Sequence, residues 1–268
     1  MSGHMGRALR IVCGMIWPLL VYELIGKCAE AAYRLKYGTS APDDKALVLT
    51  GASALAAVLF LGALYLLLRG QGRIGCARPR RDFRMVCLSA LAGLGSCIFV
   101  NHIIGFFSFR KGGFDGAAAL LYGPPFFVQI LCTGLLIPLA EELIFRGLIF
   151  GRLRREMKFF PAAVLSAAYF GIFHGNLPQG IYAFCLGLIL AMIYEWSGSV
   201  MSAWAFHAAA NLLSVFLMAA HAGEWAGGRP AARLLFALAG GMILMASLYK
   251  MREVGKRNEI TVDSNTML

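Results

Sequence analysis

The chain has 268 residues, 59% of them hydrophobic, and its apolar runs are long enough to cross a hydrocarbon core of about 30 Å. Short connections join those runs, and no hydrophilic block is large enough to hold a core of its own, which excludes separate soluble domains. The 25 Lys and Arg against 14 acids would suggest nucleic acid in a soluble protein. Here their placement reports orientation and contact with anionic lipid, and no nucleic-acid binding is expected.

The pattern predicts an all-α polytopic membrane protein with about eight transmembrane helices, over 8–33, 46–68, 85–108, 125–152, 159–176, 179–196, 199–221 and 230–250. Met1-Ser2-Gly3-His4 ahead of Met5 reads as an expression remnant. Residues 5–268 are read as a single membrane domain, with a motif-bearing core at about 120–220. The first apolar run is long enough to span and is taken as a span, not a cleaved signal. With the N-terminus inside, 16 basic residues fall in cytoplasmic segments and seven outside, so both termini are expected in the cytoplasm.

In span one, Glu23, Lys27 and Glu30 share a stripe and are expected to neutralise one another. Gly70, Gly72, Gly75 and Pro79 among the arginines from Arg69 to Arg84 suit a flexible connection at anionic headgroups. Asn101 and His102 in span three are expected to make interhelical hydrogen bonds and are left out of the site. The glycine-rich stretch from Arg110 to Pro125 ends in two prolines, which favours an extended entry to span four. The seven cysteines show no Cys-x-x-Cys and no metal or disulfide spacing.

The chemistry is concentrated in spans four, five and seven, where ionisable groups inside apolar helices mark a functional site by default. Glu142 and Arg146 lie about 40° apart around the span-four axis, whereas Glu141 and Arg146 are separated by about 140°. Arg146 is therefore expected to hold Glu142, leaving Glu141 to act as general base on water. Phe170 and His174 share a stripe on span five, and His207 and Asn211 share one on span seven, where they form a donor pair able to hold an oxyanion. The bland alternative for each is a packing or hydrogen-bonding role between helices. All five aspartates are expected in loops or the tail, which leaves no aspartyl dyad within the bilayer. No His-Glu-x-x-His or Gly-x-Ser-Gly run is present.

Glu141-Glu142-Leu143-Ile144-Phe145-Arg146, Phe170-Gly171-Ile172-Phe173-His174 and His207-Ala208-Ala209-Ala210-Asn211 follow in that order. In these motifs the chain resembles the CAAX-protease and bacteriocin-processing family, also called the abortive-infection family, of glutamate intramembrane proteases. Its eight-span architecture is similar to the type II CAAX prenyl endopeptidase branch. The resemblance implies an endopeptidase whose active site lies in the helix-bundle core, without cofactor. Glu141 and His174 would activate water, His207 and Asn211 would stabilise the oxyanion, and Glu142, Arg146 and Phe170 would support them. The implied partners are the lipid bilayer and a membrane-attached protein or peptide, prenylated or otherwise lipid-anchored. Two other readings use the same residues: a zinc hydrolase with Glu141, His174 and His207 as ligands, and a non-enzymatic immunity or scaffold protein.

Overall fold

The computed structural model describes residues 2–74, 82–106, 121–221 and 229–266. The middle of the arginine-rich connection, Cys76 included, and most of the glycine-rich stretch lie outside the described residues. All regular structure that is described is helical: α1 (Ser2–Tyr37), α2 (Asp43–Gly70), α3 (Phe83–Phe106), α4 (Phe126–Glu156), α5 (Phe159–Phe173), α6 (Leu177–Ser197), α7 (Val200–Ala219) and α8 (Pro230–Thr266). The protein is a polytopic membrane protein.

Seven of these helices are long and apolar enough to cross a bilayer; α5 is the shorter one. An eighth span over 159–176 was expected, but α5 has only 15 residues, about 22 Å of helix. It stops because His174 caps its C-terminus and Gly175 takes a φ of 71°, a left-handed conformation that glycine adopts without strain. The aspartates also differ from expectation, since Asp43 and Asp44 open α2 and Asp263 lies on the last part of α8. All three lie outside the membrane-crossing stretches Lys45–Gly70 and Pro230–Lys256.

The helices pack as two compact units, one from residues 1–76 and 110–191 and the other from 77–109 and 192–268. In the first unit, α2 buries the stripe Ala54, Ala57, Leu61 and Tyr65, while Leu55, Leu59, Phe60, Leu66 and Leu67 are exposed on its other side. Such an apolar exterior is what a hydrocarbon solvent accepts, and small buried residues let helices approach closely there. Gly51 is the extreme case, because a Cβ at that position would sit 2.4 Å from the Cys132 Sγ of α4. At one end of this unit Arg7 and Arg10 pair with Glu156, and Arg155 donates to the Gly72 carbonyl. Glu30 pairs with Arg34 one turn on, a partner that the expected Glu23, Lys27 and Glu30 cluster did not include.

In the second unit α3 packs on both α7 and α8. Glycines set the two crossings: a Cβ on Gly93 would meet the Phe206 carbonyl oxygen at 2.1 Å, and one on Gly95 would meet the Gly240 carbonyl oxygen at 2.8 Å. Among the described residues, Asn101 and His102 make no hydrogen bond between helices, contrary to expectation. Asn101 Nδ2 donates to the Cys97 carbonyl and His102 Nδ1 lies 2.8 Å from the Ile98 oxygen, so both turn back onto their own helix.

Candidate active site

Helix α4 is not uniform. Two π-helical segments, Ile130–Leu136 and Leu143–Phe150, flank the α-helical turn Ile137–Glu142 that carries both glutamates. Wider turns of this kind are frequent at functional sites because they locally re-aim side chains. Every residue from Ala140 to Gly151 is buried.

Glu142 and Arg146 are sealed completely, and Arg146 Nη1 donates to Glu142 Oε1 at 3.2 Å. The guanidinium carbon also lies 4.5 Å from the centre of the Phe170 ring, close enough for a cation–π contact. Nη2 approaches the backbone of α6 at Gly187, where an added Cβ would stand 3.3 Å from it. Glu141 itself is 9% exposed.

The Phe170 ring also touches His174, edge to face, with centroids 4.7 Å apart. Phe170 thus touches both the guanidinium and the imidazole. His174 Nδ1 lies 2.8 Å from the Phe170 carbonyl oxygen. A carbonyl can only accept, so Nδ1 carries a proton, and in the neutral imidazole Nε2 keeps its lone pair. Ser166 anchors α5 to the second π-helical segment by donating to the Phe145 carbonyl.

On α7 in the other unit, His207 is buried and Asn211 half-buried, one helical turn apart. Phe206, next to His207, is the residue whose carbonyl lies against Gly93. Within each unit, and among the described residues, no three of His, Cys, Asp or Glu gather at a spacing that would hold a metal ion.

Residues 123–213 match the family model "Type II CAAX prenyl endopeptidase Rce1-like". Over that stretch the chain is similar to the Rce1-like family. The matched stretch contains all three motifs, which bears out the resemblance read from them. Among curated proteins, "Putative membrane peptidase YdiL" of Bacillus subtilis (strain 168) is 34% identical over 67 residues. That match covers 25% of this chain and 28% of the relative, so the chain spans little more than a quarter of that protein. No solved structure matches the chain.

The matched stretch holds two further groups that the motifs do not contain. Asn176 Oδ1 accepts from the Gln179 backbone N–H, and its Nδ2 donates to the His174 carbonyl, which fixes the turn just after the imidazole. An Asn followed three residues later by Gln was a readable capping signal. Buried Gln129 donates to the Tyr122 and Pro124 carbonyls and pins the entry to α4. No sequence pattern marks that contact in advance.

Proposed function

We propose that this protein is an intramembrane endopeptidase of the glutamate type, acting on a peptide bond in a membrane-attached protein or peptide. Glu141 takes a proton from water, with the unprotonated Nε2 of His174 assisting, and the hydroxide attacks the scissile carbonyl carbon. His207 and Asn211 donate to the oxyanion that forms on the carbonyl oxygen. The C–N bond then breaks, and the proton taken from water passes to the leaving amine. No metal ion takes part in this reading.

The observation that carries it is the setting of the two glutamates on α4: Glu142 is sealed against Arg146, while Glu141 next to it keeps 9% exposure, within a stretch that matches the Rce1-like family model. Paired carboxylates in different surroundings are how acid and base roles are separated. The family description and the name of the Bacillus relative support a peptidase acting at the membrane, and a lipid-anchored substrate is the class proposed.

The test compares peptide termini, by mass spectrometry, in membranes of source cells carrying the wild type or Glu141→Gln. A terminus that depends on Glu141 is expected, and it should survive exhaustive chelation of the purified enzyme acting on that substrate. Identical termini in both strains would overturn the enzymatic reading, and loss on chelation restored by zinc would overturn the metal-free mechanism.

A further inference from the structure

Tyr22 on α1 is a hydroxyl-bearing side chain that the three motifs do not include. It is half-buried, and its ring lies 6.1 Å from that of Phe173, the residue before His174. Phe173 is in turn 5.6 Å from Phe145, one turn after Glu141 on α4, and 6.4 Å from the His174 ring. Helix α1 packs along the second π-helical segment of α4, so this cluster is held from both sides. The Tyr22 phenol lies within electrostatic reach of the Glu141 carboxylate and of Glu23 beside it. Its hydroxyl makes no hydrogen bond to another described residue.

A phenol is an O–H donor at neutral pH, and an ionised carboxylate can only accept. A water shared between them satisfies both. It gives a hydrogen to Glu141 and receives one from Tyr22, which leaves its second lone pair for attack. Glu141 and His174 between them supply only acceptors to that water, the latter through Nε2. Two acceptors orient that water, and a donor adds the third contact that holds its oxygen in place.

We infer that Tyr22 is a water-positioning residue, its phenolic O–H donating to the water that Glu141 deprotonates. The inference rests on the hydrolytic role proposed for Glu141. Tyr22 keeps its own proton throughout: the water proton goes to Glu141, and the new bond joins the water oxygen to the carbonyl carbon. The effect belongs to turnover, not to substrate affinity, because the hydrogen bond is made to the nucleophile.

The test uses the full chain in proteoliposomes with an internally quenched farnesylated peptide ending in a Cys-aliphatic-aliphatic-X tail. If that reporter is not cut, the lipidated peptide spanning the Glu141-dependent terminus takes its place. Tyr22→Phe keeps the ring against Phe173, so its thermal midpoint should match the wild type while kcat falls about 3- to 10-fold at unchanged KM, the scale of one neutral hydrogen bond. Tyr22→Leu, which also removes the ring contact, should lose at least as much kcat and melt earlier. Wild-type kcat in Tyr22→Phe, or a change in KM alone, would overturn the assignment. Glu141→Gln is measured alongside. If it is inactive while Tyr22→Phe is normal, only the Tyr22 role falls; if it cleaves normally, the hydrolytic reading falls and this inference with it.

Discussion

A guanidinium closed off from solvent depends on its counter-ion. Arg146 and Glu142 are both completely buried, and removing one partner of such a pair leaves a charge that the surroundings cannot solvate, typically at a cost of about 3–5 kcal/mol. Glu142→Gln and Arg146→Ala are therefore expected to lower the thermal midpoint in detergent sharply. Glu141→Gln should melt close to the wild type, since Arg146 bonds to its neighbour; equal destabilisation by all three would remove the distinction between the two glutamates. Asn211→Ala tests the donor pair. Losing one oxyanion donor lowers kcat by about 10²–10³, so steady-state kinetics should show a fall in turnover at near-normal KM, whereas a pure rise in KM would assign Asn211 to substrate binding. At this scale the sequence was legible where spacing decides contact: the four-residue interval that joined Glu142 to Arg146 and Phe170 to His174 survives in the structure. It was not legible where partners lie far apart in the chain. Nothing in the spacing of Tyr22 announces Phe173, and nothing in Arg146 announces the face of Phe170.

Among the helices, glycine contacts decide how closely neighbours approach. The α3–α7 crossing rests on Gly93, whose hypothetical Cβ would lie 2.1 Å from a backbone oxygen and 3.0 Å from a Cα, both of Phe206. Backbone cannot swing aside like a flexible side chain, so Gly93→Ala has to displace α7 at the residue beside His207. Overpacking of this kind costs about 1–3 kcal/mol. The expected outcome is a lower melting temperature together with reduced hydrolysis, while Gly26→Ala, whose Cβ would have nothing within 4 Å, should leave both unchanged. Normal activity in Gly93→Ala would show that His207 tolerates the shift. Helix boundaries were readable to within a few residues where turn chemistry marked them, as at Gly198, whose φ of 62° separates α6 from α7. The π-helical segments were not readable, because hydropathy is blind to whether a carbonyl is met four or five residues on.

For the molecule as a whole, hydropathy found every described helix, and the discrepancy lies in how many cross. Seven crossings would leave the termini on opposite sides, while eight, with α5 included, would return them to the same side. The 16 to seven bias of basic residues favours both ends in the cytoplasm, and this remains our proposal. Reporters active only in the cytoplasm, fused separately to the two ends of the chain, should both be active. Activity at the N-terminus alone would mean that α5 does not complete a crossing.

The shortness of α5 also bears on the lipid around it. Phe160 and Ile172 are the strongly exposed apolar residues near its two ends, and twelve residues of helix separate them by only about 18 Å, well under the thickness of an average hydrocarbon core. A bilayer matching that face has to pinch inward beside it. Headgroups and their hydration are thereby drawn toward the level of His174 at the end of the same helix. Membrane thickness then becomes a control on the protein, with thin membranes relaxed against this face and thick, sterol-rich ones strained by it.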